Sequence, residues 1–361
     1  MNLNPIDPSL LFEALLGALL ITLLMAWISI RVARRIGLID YPSSKPHKTH
    51  LVPTPLAGGI ALYFTLLIAE WAFGNFISPN IRATFIGGGI IFAFGIWDDY
   101  DNIRPLTKLV GQVLAALVVI LLGAHIQIFE SPEFFLRGGP TFNMVADWLL
   151  TILWIVGITN AFNFVDSMDG LAIGLGGTAA AFFMLVTLDA GQPFLALHSA
   201  MIIGACIGLY FFNSAPALLF LGDSGAQTLG FILAVLAIAY VPVNANQSSS
   251  WVVPIMLLGV PIFDSALVIV SRLRRFKPVY AASHDHTYHR LLSLGLGSFR
   301  SVLIMQGASL ILGCLAFIIL PQPPLIANLV FFLVLLSGVG AIGFLDRRKT
   351  RVGLDRVGQD A

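Results

Sequence analysis

Apolar residues in this chain come in long blocks, and polar residues are largely confined to the breaks between them. A helix needs about 17 to 25 predominantly apolar residues to cross the hydrocarbon core of a bilayer. Eleven blocks approach or reach that length: 10–30, 56–73, 81–97, 106–122, 145–164, 170–188, 194–212, 226–242, 251–271, 299–320 and 325–345. Several contain Gly or Pro, which membrane helices tolerate because neighbouring helices re-satisfy the backbone. The pattern predicts an all-α polytopic membrane protein, one membrane domain over residues 1–361 that ends in a basic tail, 346–361. One stretch departs from the helical rhythm. Around His125-Ile126-Gln127-Ile128-Phe129 the alternation has period two, which predicts a small hairpin within 123–144 with its turn at Gly138-Gly139.

Composition agrees with the spans. A mean hydropathy of +0.89, with 57% hydrophobic and 11% charged residues, lies far from soluble domains, where about 25% of residues are charged. The net charge of +1 says little about partners, and no nucleic-acid partner is expected. The placement of the charges says more. Loop 31–55 holds Arg31, Arg34, Arg35, Lys45 and Lys48, and Arg104 and Lys108 follow the third span. Arg272, Arg274, Arg275, Lys277, Arg290 and Arg300 follow the ninth, and Arg347, Arg348, Lys349, Arg351 and Arg356 fill the tail. Thus 18 of the 20 Lys and Arg fall on one side, leaving Arg82 and Arg137 on the other. The positive-inside rule makes the richer side cytoplasmic, with the N-terminus outside and the C-terminus inside, as an odd number of spans requires. Met1 to Ser9 carry no Lys or Arg, so the first block lacks the basic leader of a cleavable signal peptide and is expected to stay as a helix. Cys206 and Cys314 each sit within an apolar block and form no CxxC pair, so neither a disulfide nor a cysteine-bound ion is expected. Asn246-Gln247-Ser248 matches a glycosylation sequon, a triplet common by chance.

With this topology the inner face collects Asp98-Asp99-Tyr100-Asp101, the run Asn163 to Gly170 with Asp166 and Asp169, and Gly222-Asp223-Ser224-Gly225. A lone Asp at a loop end is more often a helix cap or turn residue. Several acid-rich loops on one face are different, because mutually repelling carboxylates suit a hard divalent cation such as Mg²⁺, held by one or two of them together with substrate phosphates. The outer acids, chiefly Glu130, Glu133, Asp147 and Asp189, form no comparable pattern and read as interface residues. The large inner loop adds His284-Asp285-His286-Thr287-Tyr288-His289-Arg290. Its histidines have a spacing open to zinc, to an anionic or sugar-bearing ligand, or to a merely solvated loop. Asp264 lies inside the ninth span, where an ionisable group is a functional candidate and a hydrogen bond to a neighbouring helix is the competing reading.

At these residues the chain resembles the polyprenyl-phosphate N-acetylhexosamine-1-phosphate transferases, glycosyltransferase family 4. Lys45-Pro46-His47 with Pro53-Thr54-Pro55 and Gly58-Gly59 is similar to the family's first motif, and Asp98-Asp99 with Lys108 and Gln112 to its second. Asn160-Ala161-Phe162-Asn163-Phe164-Val165-Asp166 with Asp169-Gly170 resembles its most recognisable stretch, and Phe220 to Gly225 its metal motif. Pro261-Ile262-Phe263-Asp264 matches the branch that handles simple UDP-amino sugars rather than the peptidoglycan translocases. One departure stands in the inner loop, where Tyr288 replaces a histidine of the usual His-x-His-His run and Ser283-His284 replaces the common Asp-Arg pair.

The resemblance implies transfer of N-acetylhexosamine 1-phosphate, by default GlcNAc-1-phosphate, from a UDP-sugar to a polyprenyl (undecaprenyl) phosphate lipid in the bacterial plasma membrane. UMP leaves, and a cell-envelope glycan begins. It implies Mg²⁺, for which Mn²⁺ can substitute, with Asp223 and Asp166 as metal residues, and it is compatible with a homodimer. Asp98 and Asp99 would orient or deprotonate the acceptor phosphate, and Lys108 would steady phosphate charge. Asp169, Asn213 and Phe220 would hold uracil, Asn160 and Asn163 would bind substrate, and Lys45 and His47 would line the acceptor side. His286, His289 and Arg290 would face the sugar or diphosphate, with Asp264 a further substrate-binding residue. The alternatives are the peptidoglycan phospho-MurNAc-pentapeptide translocase and, from another class, a secondary transporter, which predicts acids near the bilayer midplane and an internal repeat.

Overall fold

The computed structural model describes residues 7–42, 52–130, 138–242, 251–276 and 285–357, with side chains up to 347. In chain order the helices are α1 Pro8–Ile36, α2 Gly58–Ala72, α3 Pro79–Asp101, α4 Pro105–Leu121, α5 Pro140–Val165, α6 Leu171–Asp189, α7 Pro193–Asn213 and α8 Gly222–Ala239. They continue with α9 Val252–Leu257, α10 Gly259–Arg274, α11 Thr287–Ser293, α12 Ser298–Ile319 and α13 Pro324–Val357. Proline opens α1, α3, α4, α5 and α7 at a position where its missing N–H would have no intrahelical partner. Eight of these helices (α1, α3, α5, α6, α7, α8, α12 and the Pro324–Arg347 part of α13) are long and apolar enough to cross a membrane, and α2 and α4 are shorter apolar helices. The protein is therefore a helical, multi-pass membrane protein.

Each predicted block falls on helix, with one change of form. The ninth is divided at Leu258 into α9 and α10. The cause is local: the ring of Pro261 meets the carbonyl four residues back, that of Leu257, and supplies no N–H to it. Leu257 is the last residue of α9. The last block continues beyond its predicted end, since α13 runs on through the basic segment to Val357.

Helix α8 is the axis of the bundle. Its side chains from Ser224 to Ala237 are buried all round, as expected of a helix apolar on every face, and it packs against α2, α3, α5 and α6. Around this axis α1 lies on α7 and α2, α6 on α7, and α12 on α6. The α1 stripe facing inward is Ala14, Ala18, Thr22, Ala26, Ser29 and Ala33, small residues that let the backbones approach as membrane helices do. At Gly204 of α7 a Cβ would lie 2.1 Å from the carbonyl oxygen of Leu15. By contrast α13 exposes Leu325, Leu329, Phe332 and Leu336, a surface suited to lipid.

The strands differ from expectation. A two-residue antiparallel pair, β1 Ile39–Asp40 with β2 Thr54–Pro55, sits beside the start of α2, and Leu56 bridges in parallel to Phe220. The predicted outer hairpin is replaced by another arrangement. Among the described residues of 123–144 there is no strand, Gly139 caps α5, and 131–137 lie outside the described residues. The fully buried Asp147 of α5 accepts hydrogen bonds from the backbone N–H groups of Ile128, Phe129 and Glu130, each at 3.0 Å. Thr151 Oγ1 accepts one from Ile126 at 2.9 Å. Helix side chains thus take the amides that a second strand would have paired, and Asp147, read from sequence as an ordinary interface acid, anchors this loop.

Candidate active site

The acidic loops meet at one end of α8. Asp223 lies in the first turn of α8, where the exposed N–H groups favour negative charge. Its Oδ2 accepts from Lys108 Nζ of α4 at 2.8 Å and its Oδ1 from Asn163 Nδ2 of α5 at 2.5 Å. The same Lys108 ammonium pairs with Asp98 of α3, whose side chain is only 2% exposed. One cation therefore bridges two carboxylates from two helices. Asp99 fastens the assembly from α3, since its oxygens accept the backbone N–H groups of Asp223 at 2.7 Å and Ser224 at 3.1 Å. It caps α8 from a different helix.

Close packing makes this cap available. At Gly95, one turn before Asp99, a Cβ would fall 2.4 Å from Ser224 Cα, so only glycine lets α3 approach the start of α8. The N-terminal side of α2 is tied to the same place through backbone: Phe220 N–H donates to the Pro55 carbonyl, while the Gly58 and Gly59 N–H groups donate to the Phe220 and Leu221 carbonyls.

Asp166 caps the C-terminal end of α5. Burial holds its carboxyl well above the usual carboxylate range, and the negative charges of Asp223, Asp99 and Asp169 push it the same way. Asp169 and Phe220 are half-buried nearby in sequence and each has an interaction partner. Lys45 and His47 lie outside the described residues.

Several predicted residues have structural duties that sequence reading did not assign. Asn213 is buried, accepts from the Gly170 N–H at 2.9 Å and donates to the Leu219 carbonyl at 3.0 Å. Both ends of its amide thus hold the loops that carry Asp169 and Phe220. Asn160 lies below the carboxylates, where its Nδ2 donates to Gln112 Oε1 at 2.7 Å and to the Val156 carbonyl at 2.8 Å, and its Oδ1 accepts from Gln112 Nε2 at 3.2 Å. Gln112 Nε2 also donates to Gln227 Oε1 at 2.9 Å. Gln227 escaped the sequence reading, although a polar residue four positions after Asp223 on an apolar helix was a usable signal.

The histidine loop reaches the site through α11. Asp264, 1% exposed, holds His286 Nδ1 at 2.8 Å through Oδ2 and accepts the Thr287 N–H at 2.6 Å through Oδ1. It fixes both the imidazole and the start of α11. The Phe164 ring, adjacent to Asn163, lies 5.7 Å from the His286 ring, which brings this dyad toward the carboxylates. His289 is half-buried and has a partner of its own. Tyr288, the departure from the usual histidine, is buried with 6% exposure and serves as a core aromatic of α11. Arg290, expected to face a sugar or diphosphate, is bonded within the protein. It is 1% exposed, donates from Nε to the Asp285 carbonyl at 2.9 Å, and pairs with Asp346 of α13 at 3.2 Å. Asp346 also takes Arg274 at 2.8 Å and Arg275 at 3.0 Å. This joint locks α10, α11 and α13 together; Asp346 was invisible as a partner because it reads in sequence as the start of a basic tail.

Fold and site together define an integral membrane protein with an acidic, lysine-bridged centre built from helix termini at one end of its bundle. The chain belongs to glycosyl transferase family 4. The family model bearing that description matches residues 81–241, which include the Asp98, Lys108, Asn163, Asp166 and Asp223 just described. The chain is 33% identical over 292 residues to the probable undecaprenyl-phosphate N-acetylglucosaminyl 1-phosphate transferase of Bacillus subtilis (strain 168), covering 81% of this chain and 80% of that one. It is 32% identical over 307 residues to the decaprenyl-phosphate N-acetylglucosaminephosphotransferase of Mycolicibacterium smegmatis, covering 77% and 74%. To the undecaprenyl-phosphate alpha-N-acetylglucosaminyl 1-phosphate transferase of Escherichia coli (strain K12) it is 26% identical over 308 residues, covering 82% and 81%.

Proposed function

We propose that this protein transfers GlcNAc-1-phosphate from UDP-GlcNAc to undecaprenyl phosphate at the cytoplasmic face of the bacterial plasma membrane, releasing UMP and beginning a cell-envelope glycan. The observation that carries the reading is the Lys108 ammonium shared between Asp98 and Asp223 at the N-terminus of α8, in a chain whose relatives are named for this transfer. A phosphate oxygen of the lipid attacks the sugar-bearing phosphorus of the donor, the bond to the bridging oxygen breaks, and UMP departs with that oxygen. Such transfers depend chiefly on positioning and on neutralising phosphate charge.

The residues fit a divalent cation. Five carboxylates (Asp98, Asp99, Asp166, Asp169 and Asp223) lie at the helix ends around Lys108, which pairs with Asp98 and Asp223, and burial together with the neighbouring negative charges disfavours the Asp166 charge. Among the described residues no three His, Cys, Asp or Glu groups converge into a ready cage. That suits Mg²⁺, which is commonly held by one or two carboxylates and completed by substrate phosphates and water. Asp223 and Asp166 are the residues assigned to it, and Mn²⁺ is the expected substitute. When bound, it supplies charge neutralisation on the diphosphate oxygens.

The chain's own groups do the rest. Lys108 turns from its carboxylate partners toward phosphate charge, Asp98 orients the acceptor phosphate, and Asp99 keeps α8 and hence Asp223 in place. The acceptor needs no strong base, since the second ionisation of a phosphate monoester lies near pH 6. Asp169 and Phe220 take the uracil, and the Asp264–His286 dyad faces the sugar. In the proposed topology of eleven crossings with the N-terminus outside, this centre faces the cytosol, where UDP-sugars are found. Replacing Asp223 by Ala is expected to abolish UMP release in membranes supplied with Mg²⁺, UDP-GlcNAc and undecaprenyl phosphate. Turnover equal to the unmodified protein would sink the assignment. Exchange of labelled UMP into UDP-GlcNAc, dependent on the lipid phosphate, separates a transferase from a transporter.

A further inference from the structure

We infer that Gln112, Asn160 and Gln227 form a positioning layer that sets the reactive geometry of Lys108, Asn163 and Asp223 from one helical turn away. The inference rests on the transferase reading and concerns residues that touch no substrate.

The same three helices build both layers. Lys108 and Gln112 are four residues apart on α4, Asp223 and Gln227 four apart on α8, and Asn160 and Asn163 three apart on α5. Residues three and four apart share a helix face, one above the other. In the outer layer Lys108 and Asn163 both donate to Asp223. One turn inward, Gln112 Nε2 donates to both Gln227 Oε1 and Asn160 Oδ1, and its Oε1 accepts from Asn160 Nδ2. The lower layer therefore repeats the α4–α5–α8 junction of the upper one, with neutral amides in place of the charged Lys108 and Asp223.

Neutral amides suit the task. Gln112 and Gln227 are 2% and 3% exposed, in a region where an unpaired polar group has no water to turn to. A slip of any one helix by a single residue translates it by about 1.5 Å and rotates it by about 100°, which breaks these hydrogen bonds and misdirects the side chain one turn above. The upper layer alone lacks this security. Its partners are charged, half-exposed in the case of Lys108 and Asp223 at 27% and 33%, and must exchange one another for phosphate and metal during turnover. The amide layer stays intact while they do so.

The test uses the full-length protein in detergent or nanodiscs with purified UDP-GlcNAc and undecaprenyl phosphate. Gln112→Met and Gln227→Met, which keep side-chain length and remove the hydrogen bonds, are each expected to lower kcat about tenfold or more, with KM for UDP-GlcNAc changed less than about threefold. The double variant Gln112→Met/Gln227→Met removes both partners of the Gln112–Gln227 hydrogen bond together, so neither glutamine is left stranded by loss of the other, and only Asn160 loses its Gln112 partner. It is expected to be more stable than the sum of the two single losses predicts while kcat stays low. A role in stability alone predicts that kcat recovers with melting temperature, and that result overturns the inference. So does a kcat within twofold of the unmodified protein in both single variants. Absence of UMP release from the unmodified protein would instead overturn the transferase reading on which the inference stands.

Discussion

Gly222 adopts φ 73°, and a Cβ there would stand 2.8 Å from Oδ2 of Asp99. Left-handed backbone costs a residue with a side chain roughly 1–2 kcal/mol, and displacing a capping carboxylate costs about 1 kcal/mol more. Gly222→Ala is therefore expected to lower the melting temperature in detergent and to reduce UMP release about tenfold or more, because the group it displaces holds the first turn of the helix that carries Asp223. A fully active, equally stable alanine variant would mean that Asp99 is not needed where it lies. This duty of Asp99 was not legible in the sequence, and the reason is distance along the chain. The carboxylate and the amides it caps are 124 and 125 residues apart, so spacing revealed only that acids cluster, not which oxygen holds which amide. Asn213, Asn160 and Arg290 are expected, from the family resemblance, to meet substrate. In each, the polar groups turned out to face the protein's own backbone or side chains.

Elements were more legible than contacts, because a block of 20 apolar residues needs no partner to be recognised, whereas a hairpin does. Every apolar block is helical, and Pro261 marks the break in the ninth; the period-two stretch near His125 failed as a strand signal because Asp147 and Thr151 supply its hydrogen bonds from a helix. One joint between elements went unnoticed. Glu70 near the end of α2 and His198 of α7 are 0% and 1% exposed and directly hydrogen-bonded, and Asn75 donates to the second oxygen of Glu70 at 2.6 Å. Since α2 begins beside Phe220, this pair sits at the end of the bundle away from the carboxylates. It bears on the transporter alternative, which looks for buried ionisable groups. Its enclosed, mutually bonded geometry fits a clamp between α2 and α7. His198→Leu strands a buried carboxylate, a loss on the order of 3–5 kcal/mol, and should lower the melting temperature by several degrees while leaving turnover per folded molecule within about twofold. A selective loss of turnover without loss of stability would assign the pair to function.

At the scale of the whole molecule, charge is sorted along the bundle axis: the ends of α1 and α10, the start of α4 and the continuation of α13 carry most of the Lys and Arg, and the aspartate centre lies among them. The proposed orientation puts that end in the cytosol. It can be read directly with a membrane-impermeant maleimide after Cys206 and Cys314 are replaced by Ala, which leaves the protein without thiols. Single cysteines at exposed Arg82 and Thr141 test the outer side, and at exposed Arg104 and Arg300 the inner side. In intact spheroplasts Arg82→Cys and Thr141→Cys are expected to label, and Arg104→Cys and Arg300→Cys only after lysis. Arg104 lies four residues before Lys108, so its accessibility reports directly on the catalytic end. Labelling of Arg104→Cys from outside would place Lys108, Asp98 and Asp223 away from the cytosolic pool of nucleotide sugars. The same acids and the same lysine would then need another donor, because a charged UDP-sugar does not cross the bilayer to reach them.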